Sequence, residues 1–296
     1  ITLASRKDRD AALKAWIEEQ KTAALQEGRL TYYARLNFYL ESMVPPDEPT
    51  GIIFQTVERV PVERLDPEGL GRIAARLAEN YPRLAEDYLL KLEEDFPDSR
   101  HRSYGYYARA VLLMDEGEYG DALTELARFR AESPMHPLAT DVTLLYATCL
   151  TQTERYAEAR ETLEELLTLR QARGRPHAEA LLALSRNAEA AGEIERAIPY
   201  AQRVYNVYRA YPELTADAYW MSALQFDALG ETIAAYRTLE EMLEDPRIQA
   251  MPVATEAETK RDSLFEKIPE GALDETPEPE AAQPARTAPA EEEVTS

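Results

Sequence analysis

The 296-residue sequence has little of several residue types that particular protein classes require. Cys149 is the only cysteine, so no disulfide can form within the chain. The 11 glycines are scattered and form no phosphate-binding loop, and the three histidines show no His-x-x-x-His spacing for a metal. No serine stands in a Gly-x-Ser-x-Gly setting. We therefore predict no catalytic, cofactor-binding or metal-binding residues, and no bound cofactor.

Long apolar runs and basic residues are also scarce. No stretch of eighteen consecutive apolar residues occurs, so we expect no segment of this sequence to span a membrane. The 33 basic residues are outnumbered by 55 acidic ones, which gives a formal net charge of −22. Because such a surface repels phosphates and anionic lipids, we expect neither nucleic acid nor a membrane surface as a partner.

What the sequence does contain is a regular repeat. Five alanines lie 37, 37, 38 and 38 residues apart, and bulky apolar residues tend to follow each of them after four and seven positions. The alanines are Ala85, Ala122, Ala159, Ala197 and Ala235. Twelve residues before the last four stand Ala110, Ala147, Ser185 and Ala223. Small side chains let two helix backbones approach closely, so these positions predict helix crossings within repeated helix pairs.

Turn residues and prolines mark the ends of the predicted helices. Gly117, Gly192 and Gly230 stand between the two helices of a pair, as does the segment 154–156 in the third unit. We expect a proline to end each second helix, because proline lacks the N–H that a helix interior needs. The prolines in question are Pro97, Pro134, Pro176, Pro212 and Pro246.

These residues resemble the tetratricopeptide repeat (TPR) over about five units, from residue 66 to residue 246. The family pattern has a small residue in the first helix, an alanine opening the second and a proline at the end. The resemblance implies an all-α fold, a right-handed α-solenoid of antiparallel helix pairs. In the first unit Arg72 and Arg76 stand where the pattern expects apolar groups.

The resemblance also implies a concave groove, lined by the first helix of each pair, that binds another protein or a peptide. Transferred to this sequence, the protein-binding groove holds Tyr104, Tyr107, Met114, Leu144, Arg186, Asp217, Trp220 and Asp227. Tyrosine, tryptophan and arginine often dominate the free energy of binding at interfaces. The alternative for Tyr107 and Trp220 is that they pack between adjacent repeats.

Other segments flank the repeats. Residues 1–43 predict a helical hairpin, which is a degenerate extra repeat or a separate element. Residues 44–65 predict an irregular linker, in which the apolar residues 51–57 form a short strand or an apolar loop. Residues 247–268 predict a capping helix. Residues 269–296 carry eight acidic residues and many prolines and alanines, so we expect a disordered tail.

A finer resemblance concerns the junctions at residues 94–99 and 211–220. They are similar to phrases in bacterial cell-envelope TPR families, such as the Tol–Pal-associated periplasmic coordinator and the outer-membrane assembly lipoprotein. This resemblance implies a periplasmic location, with a cytoplasmic one as the alternative. Because the sequence begins at Ile1 instead of Met, we expect an upstream segment to be missing, whether a signal, an anchor or a truncated part.

Together these features predict a non-catalytic TPR scaffold that binds a protein or peptide segment in its groove, within a cell-envelope complex. One alternative is a structural, oligomeric assembly subunit whose ends or segment 44–66 make the contacts. A cytoplasmic TPR adaptor is another. The sequence does not specify the partner or the oligomeric state.

Overall fold

The computed structural model describes residues 6–43, 51–269 and 271–273, and the regular secondary structure in these ranges is helical. The chain divides into two compact units, residues 1–218 and residues 219–296, which are described separately. Most of the predicted tail, residues 270 and 274–296, lies outside the described residues, and so does the first part of the predicted linker, residues 44–50.

Unit 1 contains eleven complete α-helices within the described residues, with short 3-10 turns at Val62–Arg64 and Arg170–Ala172. The helices are α1 (Arg6–Gln26), α2 (Leu30–Glu41), α3 (Ile52–Arg59), α4 (Pro67–Leu77), α5 (Pro82–Asp95), α6 (Arg102–Asp115), α7 (Tyr119–Glu132), α8 (Ala139–Gln152), α9 (Tyr156–Thr168), α10 (Arg175–Ala190) and α11 (Ile194–Val207). The unit boundary falls within α12 (Pro212–Ala228). Unit 2 continues with α13 (Thr232–Glu244), α14 (Pro246–Gln249) and α15 (Val253–Phe265).

From α4 to α11 the helices of unit 1 pack as consecutive pairs: α4 with α5, α6 with α7, α8 with α9, and α10 with α11. The first helices also contact one another, since α4 packs on α6 and α8 packs on α10. The all-α fold of helix pairs is therefore confirmed.

The repeated small residues lie where the sequence pattern places them. All five alanines of the repeat are fully buried, at 0% exposure. Ala110, Ala147 and Ser185 are buried as well, and Ser185 Oγ donates a hydrogen bond to the carbonyl oxygen of Ala197, at 2.9 Å. This bond lets a polar residue occupy a helix crossing without leaving its hydroxyl unpaired.

The N-terminal part differs from the prediction. Residues 51–57 form neither a strand nor an apolar loop, because α3 occupies Ile52–Arg59. The helix buries Ile53 and Thr56 against its neighbours. A run of apolar residues as short as this one does not show whether the segment is a helix or a strand. The predicted hairpin of α1 and α2 does form.

The helix α2 also takes part in the repeat. First helices begin at residues 30, 67, 102, 139 and 175, so α2 stands one repeat length before α4. It packs on α3 as well as on α1. This spacing indicates a shortened repeat formed by α2 and α3, with α1 packed on α2.

The prolines play two different roles. Pro97 and Pro134 follow α5 and α7 by two residues, as predicted. Pro176, Pro212 and Pro246 instead lie in the first turn of α10, α12 and α14, so the expectation that they end a second helix is wrong. Proline suits that position because the first N–H groups of a helix have no partner within the helix.

In unit 2, α15 packs on α13 and buries Ala257 and Leu264. Lys260 Nζ lies 2.6 Å from Asp227 Oδ2, which ties α15 to the last turn of α12. Within the predicted capping segment, residues 247–268, α15 follows the short helix α14.

Candidate protein-binding surface

The exposed sides of the first helices in unit 1 form the candidate surface, and α6 supplies three of its predicted residues. Tyr104 is partly buried, and its ring meets that of His136 edge to face at 4.6 Å between centroids. A Cβ atom placed on Gly71 of α4 would lie 2.7 Å from Tyr104 Cβ. The close approach of α4 and α6 therefore fixes this tyrosine. Met114, near the end of α6, is partly buried against the core.

Tyr107 lies deeper than a groove anchor would. Its side chain is only 8% exposed, and its hydroxyl donates to Glu79 Oε1 at 3.4 Å. Burial, together with the charges of Glu79 and Asp141, raises the pKa of the phenol. Tyr107 consequently supports the alternative of packing between repeats, with its hydroxyl at the edge of the surface.

Acidic side chains from successive repeats lie beside that hydroxyl. Asp141 of α8 is within electrostatic range of Glu179 of α10 and of Glu79, which follows α4. Burial first, and then these two like charges, raise the pKa of Asp141 to about 6. Among the described residues, neither Asp141 nor Glu79 has a basic partner within ion-pair distance. The sequence pattern misses Glu79, because this residue stands in a helix connection and not in a helix.

The remaining predicted residues of unit 1 lie on α8, α10 and the start of α12. Leu144 is partly exposed. Arg186 Nη2 lies 3.8 Å from Asp217 Oδ2, and both side chains are more than half exposed. Partial desolvation of the carboxyl raises the pKa of Asp217, and the charge of Arg186 opposes this rise. This exposed ion pair contributes little stability, so both groups are available to a ligand.

In unit 2, Trp220 is partly exposed on α12. Asp227 already has a partner, because it forms the ion pair with Lys260. Its evident role is to hold α15.

In the part of the chain that the structure describes, no helix is long and apolar enough to cross a membrane.

Comparison with known proteins bears on the repeats directly. A family model described as tetratricopeptide repeat matches residues 139–210, the segment that contains α8 to α11. Among solved structures the chain is similar to pilF of Pseudomonas aeruginosa, at 16% identity over 70% of this chain and 96% of that chain, with a TM-score of 0.48. It is also similar to YrrB, described as a TPR protein with an unusual peptide-binding site, at 17% identity over 70% and 97% of the two chains, with a TM-score of 0.44. Both TM-scores lie below 0.5, so neither likeness supports an inference. No curated protein sequence matches the chain significantly.

Proposed function

Because the chain carries tetratricopeptide repeats at residues 139–210, we propose that it is a non-catalytic scaffold that binds a segment of another protein. The segment lies against the first helices of unit 1, along Tyr104, Met114 and Leu144. The observations that carry this proposal are the partial exposure of these three apolar side chains and the lack of a basic ion-pair partner for Asp141 and Glu79 among the described residues. Apolar contacts supply affinity, and the carboxylates orient the bound segment.

A pull-down with the full chain tests this surface. We expect Met114→Ala/Leu144→Ala to lower the recovery of partner proteins from the source lysate by about fivefold or more, since such anchors dominate binding. Met135→Ala is the matched control, because Met135 is 91% exposed in the connection between α7 and α8. Circular dichroism checks that each variant is folded. Equal recovery with the double variant and the control would reject the surface.

Tyr107 and Trp220 are tested separately. Tyr107→Phe removes only the hydroxyl that contacts Glu79, so it probes the polar edge of the surface without opening the core. Trp220→Ala probes the contribution of unit 2. A loss of recovery with Trp220→Ala, and none with Met114→Ala/Leu144→Ala, would assign binding to unit 2 alone.

We further propose that the protein works in the bacterial cell envelope, on the periplasmic side. The support is the likeness of residues 94–99 and 211–220 to junctions of envelope repeat proteins. Alkaline phosphatase fused to the natural gene product tests this, since the enzyme matures only outside the cytoplasm. Activity in intact cells is expected, and an inactive fusion at full expression would favour the cytoplasmic adaptor.

A further inference from the structure

A patch of unpaired arginines stands out in a chain with a net charge of −22. The connection between α9 and α10 and the first turn of α10 together carry three arginines and one histidine within residues 170–177. Arg175 is held internally by Glu179 and Glu213. Arg170, Arg173 and, on α11, Arg203 are exposed, and none of them has an acidic partner within ion-pair distance among the described residues.

Two of these arginines converge although 30 positions separate them. Both Arg173 and Arg203 lie within electrostatic range of His177, in the first turn of α10. Burial and the two guanidinium charges lower the pKa of His177. The imidazole is therefore neutral near pH 7, and the positive charge of the patch comes from the arginines.

The backbone adds to this positive field. The helix α10 is 16 residues long, its N-cap is Gly174 at φ 94°, no side chain caps it and its first turn has no acidic residue. The free N–H groups and the helix dipole at such an end favour an anion. Arg173 directly precedes the N-cap Gly174, and Arg203 lies within electrostatic range of His177 in the first turn, so both guanidinium charges lie near this helix end.

Two tyrosines lie against residues of this helix end. Tyr208 of the connection after α11 shares a hydrogen bond of 2.6 Å with His177 Nδ1, and the two rings stack at 5.6 Å. A Cβ atom on Gly174 would lie 3.0 Å from the hydroxyl of Tyr211. Only glycine suits this position, which leaves the hydroxyl close to the helix end.

We propose that this arginine patch, formed by Arg170, Arg173, Arg203 and the N-terminal turn of α10, binds a short acidic segment of a partner protein. Guanidinium groups bind carboxylates with two parallel hydrogen bonds. The strongly negative chain repels extended polyanions such as nucleic acid and anionic bilayers. A short segment interacts mainly within the Debye length, where the local positive charge outweighs the distant acids.

The test uses the full chain and a fluorescent peptide of alternating glutamate and serine, with binding followed by anisotropy at low salt. We expect Arg173→Ala/Arg203→Ala to weaken binding by about tenfold or more. The control, Arg83→Ala/Arg128→Ala, removes the same charge from α5 and α7 and should leave affinity within about twofold. Met114→Ala/Leu144→Ala should also leave peptide affinity unchanged, which separates this patch from the first-helix surface.

Three results would overturn the assignment. The first is that the wild-type chain does not bind the peptide. The second is that Arg83→Ala/Arg128→Ala weakens binding as much as Arg173→Ala/Arg203→Ala, which would indicate a diffuse charge effect. The third is that a duplex DNA of similar length binds more tightly than the peptide and depends on Arg173 and Arg203. That outcome would assign the patch to nucleic acid.

Discussion

Neighbouring helices pack through different side chains in two parts of unit 1. The junction between α2 and α4 uses charged side chains, whereas the later repeats bury mainly apolar ones. At the first junction, Arg72 lies 4.9 Å from the centre of the Phe38 ring and donates to the Phe38 carbonyl at 3.1 Å. Arg76 lies 3.2 Å from Glu41. The arginines that break the apolar pattern thus bind the C-terminal end of α2, where the helix dipole favours cations.

The helix crossings of the later repeats bury many apolar side chains, and a few buried polar residues such as Asn187 join them, with Nδ2 donating to the Tyr156 carbonyl at 3.0 Å. Ala110 and Ala147 allow close helix crossings, while Leu126, Phe129 and Leu163 are fully buried beside them. The difference teaches that the close approach of helices defines this fold, and that polar side chains can replace apolar ones where each finds a partner.

The largest effect should come from the apolar side of this comparison. Phe129 is fully buried and contacts the ring of His136 edge to face at 5.1 Å. We expect Phe129→Ala to lower the free energy of unfolding by about 3–5 kcal/mol, because it removes a large side chain and leaves a cavity. Urea denaturation measures this. Leu90→Ala, at a side chain 45% exposed on α5, should cost far less.

The polar side of the comparison is tested at the contact between α2 and α3. Asn37 Nδ2 donates to Thr56 Oγ1 at 2.9 Å, and both residues are fully buried. Thr56→Val should cost about 1–3 kcal/mol, because the amide of Asn37 loses its acceptor. Asn37→Leu/Thr56→Val should recover most of that loss. If the double variant were less stable than Thr56→Val, the contact would depend on more than hydrogen bonding.

The two regions also differ in charge, since the acids of the first junction are paired and Asp141 is not. Asp141→Asn should stabilise the protein above pH 6, because the raised pKa of about 6 means that ionisation disfavours the folded state. The gain should disappear as the pH falls from 6 towards 4, where the folded wild type is already protonated. Neighbouring atoms desolvate the carboxyl of Asp141 in part, but the residue as a whole is exposed, so solvent screening limits the gain to about 0.5–1 kcal/mol. Urea titrations of both proteins across this pH range measure it, and a gain that persisted at pH 4 would contradict it.

A smaller effect concerns the turns within the pairs. Glu154 has φ 61° at the place that Gly117 and Gly192 occupy in neighbouring repeats, at φ 82° and 78°. We expect Glu154→Gly to stabilise by about 0.5 kcal/mol, since relief of left-handed strain slightly exceeds the entropy that glycine adds to the unfolded chain. Gly192→Ala should have the opposite sign, because nothing lies within 4 Å of its added Cβ and only the backbone angle opposes it. Thermal unfolding compares the two variants.

Much of the fold could be predicted from the sequence because the repeat recurs with a fixed period. Ala110 and Ala147, both fully buried, mark their helix crossings without knowledge of any contact. The sequence pattern does not predict α3, because this helix is short and lacks the alanine that marks the second helix of the other repeats. The sequence pattern assigns Pro212 to the wrong helix, because a proline between two helices suits the end of one and the start of the next equally well.

The candidate surface could be predicted only in part. Repeat spacing correctly places Tyr104 and Asp217 on first helices. Spacing does not distinguish an exposed side chain from a buried one, so it does not predict that Tyr107 is buried. Asp227 binds Lys260 from a segment outside the repeats, and a pattern within the repeats contains no information on that partner. The predicted right-handed sense of the solenoid stays a prediction.

The nesting of one repeat against the next is tested most directly by two glycines inside helices. A Cβ on Gly71 of α4 would lie 2.7 Å from Tyr104 Cβ on α6, whereas nothing lies within 4 Å of a Cβ on Gly120 of α7. We predict that urea denaturation finds Gly71→Ala destabilised by about 1–3 kcal/mol through overpacking, and Gly120→Ala stabilised by about 0.5 kcal/mol through helix propensity. Stabilisation of both variants would contradict the close contact of α4 and α6 on which the repeat architecture depends.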